Sequence, residues 1–377
     1  MSPLIPKELE GIYNPEEYAK QQDYQKTNSR FGLLSGGFSF VVILSVLLFG
    51  FLGWFDDLLR EYTEQFLVLP LLFFGLLMLA NAIIDFPFEW YETFTIEERF
   101  GFNKSTRKLF LLDGLKGILL SVILGGLILT AVLYIYQYAG QWFWLLAWLA
   151  VSGFSLVMTF FYSEWIVPLF NKQTPLADGE LRTAIENFAR KAGFQLTDIY
   201  VMDGSKRSTK ANAYFTGFGK KKRIVLFDTL MNDLNTEEIV AVLAHETGHY
   251  KKKHIIYSML LSVLTTGATF YILSLFLENQ QLAEALGGKT PSFHLGLIGF
   301  SLLFAPVSEI LGLAVNFISR KNEYEADAFA AQFGLGEALV SALKKISVQS
   351  LSNLNPHPLV VFWHYSHPTL LQRMHAL

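Results

Sequence analysis

The chain contains no cysteine among its 377 residues. Disulfide bridges, thiolate metal ligands and a cysteine nucleophile are therefore excluded. Charge is also scarce, because Asp, Glu, Lys and Arg make up only 17% of the chain, against roughly 25% in typical soluble proteins. A net charge of −3 provides no basic field, so no nucleic-acid partner is expected. With 52% hydrophobic residues, the remaining class is a membrane protein that crosses the bilayer several times.

Long charge-free runs indicate where the chain can cross a membrane, since a spanning helix needs about 20 mostly apolar residues. The longest run, 117–163, exceeds one crossing and divides into two spans at residues 137–141. The first 30 residues are polar and lack the apolar core of a signal peptide. We therefore predict about six spans, within residues 31–55, 65–84, 117–163 (two spans), 254–277 and 290–319.

Lys and Arg lie almost entirely on one side of these spans, with Arg60 and Lys289 as the exceptions. The positive-inside rule then predicts that both termini and all large polar segments are cytoplasmic. This organisation divides the chain into five regions. They are an N-terminal segment (1–30), spans one to four with a cytoplasmic loop at 87–116 (31–170), a polar segment (171–253), spans five and six (254–319) and a C-terminal segment (320–377).

The polar segment 171–253 has a mixed α and β pattern. Residues 178–193 have the apolar period of an amphipathic helix. Residues 198–202 and 223–227 are typical of strands, and 211–219 alternates and ends in glycine, as an edge strand or hairpin arm would.

The sharpest motif is His245-Glu-Thr-Gly-His249, within a helix whose start is indicated by Asn235 and by Glu238 three residues later. Positions i and i+4 lie on one helix face, so the two imidazoles can bind one Zn²⁺. Glu246 is then placed to act as a base on a water molecule at the metal. The competing interpretation is a pair of surface histidines on a helix.

A catalytic zinc needs a third protein ligand and an open coordination position. Without cysteine, the third ligand is His, Glu or Asp. Glu323 and Asp327 follow the sixth span one helical turn apart, so one could bind the metal while the other orients a ligating imidazole. The residues alone favour this arrangement and an ordinary solvated helix start equally.

Both candidate ligand segments leave the membrane at the same face. His249 lies roughly 8 Å along a helix from span five, and Glu323 lies at a similar distance from span six. A metal there suits a membrane-attached substrate, and contact with membrane lipid is expected. Glu309, inside span six, either lines a water-filled space or bonds to a neighbouring span.

With these features the chain resembles the type 1 CAAX prenyl proteases, which are integral-membrane zinc metalloendopeptidases. The resemblance covers nearly the whole chain and rests on the HExxH motif together with segments 91–103, 168–172, 204–215, 222–230, 319–327 and 364–373. It implies a mainly α, polytopic membrane fold in which about six transmembrane helices enclose a chamber. A gluzincin-like α+β zinc metalloprotease domain on the cytoplasmic face would combine segments 171–253 and 320–377.

The resemblance implies one Zn²⁺ per chain, held by His245, His249 and Glu323. It favours Glu323 over Glu325 as the third ligand. Asp327 becomes a partner that orients a ligand from outside the coordination sphere.

The resemblance also implies hydrolysis of a peptide or protein substrate near the membrane surface. In this family the substrate is C-terminally prenylated and loses its terminal tripeptide. Glu246 and His367 would be catalytic, and Asn212 and Ala213 would hold the substrate backbone as an added strand. Arg373, like His367, would approach the substrate or the tetrahedral intermediate.

One departure concerns a leading span of eukaryotic members, where this chain has polar residues. Together with the absence of cysteine and of a C-terminal dilysine signal, it favours a bacterial inner membrane, or the endoplasmic reticulum if the source is eukaryotic. The nearest alternative is a heat-shock-related quality-control protease without a prenyl requirement. A zinc-binding scaffold and a transporter are further alternatives, and Glu246 argues against both.

Overall fold

The computed structural model of the chain describes residues 5, 7, 10–193, 198–216 and 223–377, and these are mainly helical. Five helical stretches in this part of the chain are long and apolar enough to cross a membrane. The most apolar portion of each is largely unburied, so these helices pack sparsely on one another. The five stretches are Pro15–Leu48, Val68–Phe100, Arg107–Phe170, His254–Ser274 and Phe293–Gln332.

The third stretch contains the predicted spans three and four as a helical hairpin. It turns at Gly140, whose φ of +51° is a conformation that glycine adopts without strain. The arms on either side, Gly126–Ala139 and Phe143–Trp165, pack against each other through residues such as Leu133 and Ala147. The predicted division of this apolar run is therefore confirmed.

Several predicted spans have different bounds in the structure, and the second, predicted at 65–84, corresponds to the stretch Val68–Phe100. The first helix starts at Pro15, after an Asn14 N-cap, and ends at Leu48. A left-handed Gly50 then turns the chain into a separate short helix, Phe51–Arg60. The last stretch, Phe293–Gln332, continues well past residue 319, and we call it the long helix. The first residues of the predicted C-terminal segment, 320–332, therefore belong to the same helix as the candidate span.

The remaining helices are shorter and lie mostly outside the candidate spans. Two of the long stretches contain π-helical segments, Glu92–Glu97 and Ser121–Gly125. The shorter α-helices are Phe51–Arg60, Glu180–Lys191, Asp228–Asp233, Thr236–Lys251, Gln280–Ala285, Gly336–Gln349, Pro358–His364 and Leu370–Ala376.

The described residues form one four-stranded sheet, in the order β1-β2-β4-β3. The strands are β1 (Gln173–Pro175), β2 (Asp198–Met202), β3 (Ala213–Thr216) and β4 (Arg223–Phe227). β2 and β4 are parallel, whereas β1 and β3 run antiparallel to their neighbours. The predicted bounds of β2 and β4 are confirmed, and β3 is an edge strand as predicted. Residues 217–219 of the predicted edge strand lie outside the described residues.

The helix Thr236–Lys251, which we call the motif helix, lies at the centre of the hydrophobic core that includes the sheet. It packs against the long helix, Glu180–Lys191 and Gly336–Gln349. The buried core includes Leu226 of β4, Ala241 and Ala244 of the motif helix, and Ala330 of the long helix. The long helix thus contributes both to a candidate span and to the core that packs around the sheet.

A second buried cluster joins three distant parts of the chain. Tyr13 and Tyr18 near the N-terminus pack with Ile96 and Phe100 at the end of the second stretch and with Leu354 near the C-terminus. The Tyr13 hydroxyl also donates to the backbone oxygen of Ser347 at 2.7 Å. The start of the N-terminal helix is thereby attached to helix Gly336–Gln349, which contains Ser347.

Candidate active site

The motif helix starts where the sequence predicts. The Asn235 side chain accepts a hydrogen bond from the Glu238 backbone N–H at 2.9 Å, and the Glu238 carboxylate accepts one from the Asn235 N–H at 2.9 Å. This reciprocal capping box satisfies two N–H groups that a helix start otherwise leaves unpaired. Glu238 also accepts from Ser341 and Lys345, which fixes the helix start to the neighbouring helix.

Gly248 lets the motif helix cross the long helix at close range. A Cβ atom at this position would lie only 2.9 Å from the Ala326 Cα and 3.1 Å from the Phe329 Cβ. Ala326 lies one helical turn beyond Glu323. The missing side chain therefore allows His245 and His249, on either side of Gly248, to approach Glu323.

His245, His249 and Glu323 form a compact group whose candidate ligand atoms all lie within 4.8 Å of one another. The two Nε2 atoms are 3.2 Å apart, and the His249 Nε2 is 3.2 Å from the Glu323 Oε1. The Glu323 Oε2 is buried and has no hydrogen-bond partner among the described residues. The same oxygen lies 3.5 Å from the His245 Nε2 and 3.7 Å from the Arg373 Nη1. Two imidazole nitrogens and a buried carboxylate fit a divalent metal such as Zn²⁺.

Asp327 and Arg373 contact the Nδ1 of His245, the ring nitrogen that does not face His249. The Asp327 Oδ1 is 2.8 Å from the His245 Nδ1, and Arg373 donates to Asp327 through Nε at 2.9 Å and Nη2 at 2.5 Å. Burial lowers the pKa of His245, but the neighbouring Asp327 and Glu323 carboxylates outweigh it and raise the pKa to about 9. Arg373 is itself buried, so its guanidinium fixes Asp327 within the core.

The second histidine has a partner that the sequence reasoning missed. The Nδ1 of His249 is 3.0 Å from the Nδ1 of His254, whose Nε2 is 3.2 Å from the Glu325 carboxylate. His254 is buried. The sequence assigns His254 to the start of predicted span five, where no partner of His249 is expected. A signal was available, since a third histidine so soon after the HExxH pair is unusual in a chain with eight.

Glu246 and His367 lie beside the group from two different elements. Glu246 follows His245 on the motif helix and is half-buried, and burial raises the pKa of its carboxyl group. His367 belongs to the loop before helix Leu370–Ala376 and is exposed. Its Nε2 is 3.3 Å from the Glu323 Oε1, and its Nδ1 is 2.9 Å from the Ser366 hydroxyl. The structure therefore brings both residues to the predicted site.

Asn212 and Ala213 lie at the edge strand, next to the motif helix. The Asn212 backbone oxygen accepts from the Phe227 N–H at 3.0 Å, and the Asn212 side chain accepts from the Ala213 N–H at 2.8 Å. β3 contacts the motif helix. Within the described part of the chain, neither residue makes a hydrogen bond to the histidine and glutamate group.

Glu309 lies on the long helix, on the side that faces the active site. Glu309, Asn316 and Glu323 succeed one another at intervals of seven, so they fall within about 40° around the helix. Glu309 is exposed, and it has no hydrogen bond or ion pair among the described residues. The predicted bond to a neighbouring span is thus not found in this part of the chain.

Comparison with known proteins covers the full chain. Residues 1–172 match the family described as "CAAX prenyl protease N-terminal, five membrane helices", and residues 175–377 match "Peptidase family M48". The "CAAX prenyl protease 1 homolog" of Arabidopsis thaliana is 38% identical over 100% of this chain and 90% of its own length. "CAAX prenyl protease 1" of Saccharomyces cerevisiae is 35% identical over 99% of this chain and 88% of its own.

The fold is also similar to a solved structure. The crystal structure of S. mikatae Ste24p aligns with a TM-score of 0.92 at 35% identity, over 99% of this chain and 91% of that one. The resemblance, the fold class and the protease interpretation are thereby confirmed, and the quality-control alternative is not favoured. The chain is a multi-pass membrane metallopeptidase that belongs to peptidase family M48.

Proposed function

We propose that the metal is zinc, one ion per chain, held by His245, His249 and Glu323. The observation that carries this proposal is the convergence of ligand atoms from these three residues within 4.8 Å of one another, at a buried Glu323 carboxylate. Two histidines and one glutamate form the usual ligand set of a catalytic zinc with one open position. The orientation of His245 by Asp327 is typical of the partners that surround such ligands.

Bound zinc supplies Lewis-acid polarisation of the scissile carbonyl and lowers the pKa of a water molecule towards neutrality. Glu246 accepts a proton from the attacking water and delivers it to the leaving amine. His367 donates a hydrogen bond to the developing oxyanion from the open side of the site. Arg373, expected from the resemblance to approach the substrate, is buried and binds Asp327 through Nε and Nη2, while its Nη1 lies 3.7 Å from the Glu323 Oε2. Its proposed role is therefore to position Asp327 and Glu323.

The substrate is a peptide or protein segment that adds to the outer edge of β3. Asn212 and Ala213 would position its backbone by strand addition, and the contact of β3 with the motif helix supports this placement. The relatives named for CAAX prenyl protease activity support a C-terminally prenylated substrate. A water-filled chamber below the site is supported by Glu309, a carboxylate on the same helix face as Glu323 that has no partner among the described residues.

Peptide cleavage by the purified protein tests the proposed roles, with Glu246→Gln as the central variant. We expect this variant to retain zinc, measured by elemental analysis, and to lose peptide cleavage. Glu237→Gln on the same helix is a matched control, because that side chain is exposed and away from the site. Full activity of Glu246→Gln, or unchanged zinc content after Glu323→Ala, would reject the assigned roles.

A second comparison addresses the substrate. The same preparation is assayed on a farnesylated CAAX peptide and on the identical peptide without the farnesyl group, each with and without a zinc chelator. We expect chelation to stop both reactions and farnesylation to increase kcat/KM. Equal cleavage of the two peptides would remove the prenyl requirement and leave only the peptidase activity.

We also propose that both termini and the active site are cytoplasmic. Because the chain has no cysteine, single substitutions can be labelled without background. Lys20→Cys lies in the polar start of the first helix, before the predicted span 31–55. Lys289→Cys lies in the opposite loop, where its side chain is exposed. In sealed right-side-out vesicles, an impermeant maleimide should label only Lys289→Cys. The reverse labelling pattern would invert the topology.

A further inference from the structure

Each candidate zinc-binding histidine has a different partner at the nitrogen that faces away from the site. His245 has a carboxylate partner, Asp327, at 2.8 Å. His249 instead has a second imidazole, His254, at 3.0 Å, and His254 in turn has Glu325 at 3.2 Å. The second histidine is thus connected to a carboxylate through one intervening ring.

The hydrogen positions on the rings of His249 and His254 follow from the distances between these groups. The His249 Nε2 faces the ligand group, so a metal there takes its lone pair and leaves the proton on Nδ1. The His249 Nδ1–H must then donate to the His254 Nδ1, which can accept only if it carries no proton. The proton of neutral His254 therefore lies on Nε2, where it donates to the Glu325 carboxylate.

The backbone between the two histidines is shaped for this contact. The motif helix ends at Lys251, and the next helix starts at His254. Lys253 between them has a φ of +61°, a left-handed conformation that is uncommon for a residue with a side chain. This sharp turn folds the first residue of the candidate span back onto the last turn of the motif helix.

Burial also distinguishes His254 from an ordinary surface histidine. Its side chain is 7% exposed, whereas Glu325 is 39% exposed and also lies 4.0 Å from the Lys321 ammonium. A buried imidazole loses its hydrogen bonds to water, so both ring nitrogens need protein partners. His249 and Glu325 provide these two partners.

We propose that His254 and Glu325 form a positioning pair that fixes the tautomer and ring orientation of His249 for metal binding. The inference rests on the proposed zinc site and deepens it. Neither residue touches the substrate or the metal. Glu325, considered above as an alternative third ligand, instead acts through His254.

The test measures metal binding by the full-length, metal-free protein in detergent. Co²⁺ is titrated against a competing chelator while the absorption bands of the bound ion are recorded, and Zn²⁺ affinity is measured by displacement. Partners of this kind typically change metal affinity by about 10- to 100-fold when they are removed. We expect a loss of this size for His254→Ala, together with altered Co²⁺ bands.

A conservative variant separates positioning from packing. In His254→Asn the amide oxygen replaces the Nδ1 acceptor, so affinity should stay within a few-fold of the parent. Glu325→Ala should weaken binding by an intermediate factor, because His254 then loses the group that fixes its tautomer. His375→Ala and Glu337→Ala are matched controls, since both side chains are exposed and lie outside the site.

The possible outcomes are distinct. Failure of the unmodified chain to bind one Co²⁺ or Zn²⁺ would overturn both the zinc site and the positioning pair. Normal binding by that chain, with the same affinity and Co²⁺ bands in His254→Ala, would overturn the pair alone. If His254→Ala does not fold, Glu325→Ala decides, because its partly exposed side chain is not needed for packing. If the metal affinity and the Co²⁺ bands of Glu325→Ala then equal those of Glu337→Ala, the proposal is rejected.

Discussion

Replacing Gly248 with alanine tests the close helix crossing on which the site depends. The added methyl would lie 2.9 Å from the Ala326 Cα and 3.1 Å from the Ala326 carbonyl oxygen. Favourable carbon–carbon contacts start at about 3.5 Å, so the two helices must separate by about 0.6 Å. These contacts are with backbone atoms, which a side-chain rotation cannot relieve.

Two opposing effects decide the sign of the stability change. Alanine is favoured over glycine within a helix by about 1 kcal/mol. Overpacking of a tight contact costs about 1–3 kcal/mol. The net effect is a loss of up to about 2 kcal/mol in the free energy of unfolding.

The effect on metal binding should be larger than the effect on stability. Ligand distances in a metal site tolerate changes of only about 0.2 Å. Because Ala326 lies one turn from Glu323, a separation of about 0.6 Å moves the carboxylate beyond that tolerance. We expect metal affinity to fall on the order of tenfold or more, as it does when ligand orientation is lost.

The assay combines chelator competition with thermal unfolding of the metal-free protein. Gly312→Ala is the matched control, because it lies on the same long helix and its Cβ would meet no atom within 4 Å. Glycine-to-alanine substitution at this control site should leave metal affinity unchanged. If Gly248→Ala matches Gly312→Ala in both measurements, the crossing does not limit the site and the reasoning is refuted.

Three further predictions concern other elements. Asn235→Ala removes the cap of the motif helix and should lower stability by about 1 kcal/mol, measured by thermal unfolding. Asp56→Ala breaks its buried 2.7 Å contact with His294 and should destabilise the protein by about 3–5 kcal/mol. Metal affinity should persist, because this pair lies at the far end of the long helix. Lys210→Met removes the 2.9 Å ion pair with Glu97 beside the edge strand and should raise KM more than it lowers kcat.

Each of these predictions has its own contradicting result. An unchanged unfolding temperature in Asn235→Ala would mean that the capping box does not stabilise the motif helix. Weakened metal binding in Asp56→Ala would show that the two ends of the long helix are coupled. Asp57→Ala serves as the neighbouring control, because its partly buried side chain pairs with Lys289 and not with His294. A fall in kcat at constant KM in Lys210→Met would contradict an effect through the edge strand.

Local features of this protein could be predicted from the sequence because they depend on short-range periods. The bounds of β2 and β4, the capping box at Asn235 and the shared face of His245 and His249 all follow from spacings of a few residues. The spacing of Glu323 and Asp327 likewise placed both carboxylates on one side of a helix. Charge-free length alone indicated the membrane class.

The partners of those residues were decided by the tertiary structure. His254 meets Glu325 across 71 residues of sequence, and Arg373 reaches Asp327 across 46. A helical period determines which face a side chain shares, but not which other helix that face meets or how closely. The crossing at Gly248 and the left-handed turn at Lys253 set those contacts. For this reason the shared face of His245 and His249 was predictable from the sequence, whereas the pair behind His249 became visible only once the helices were packed.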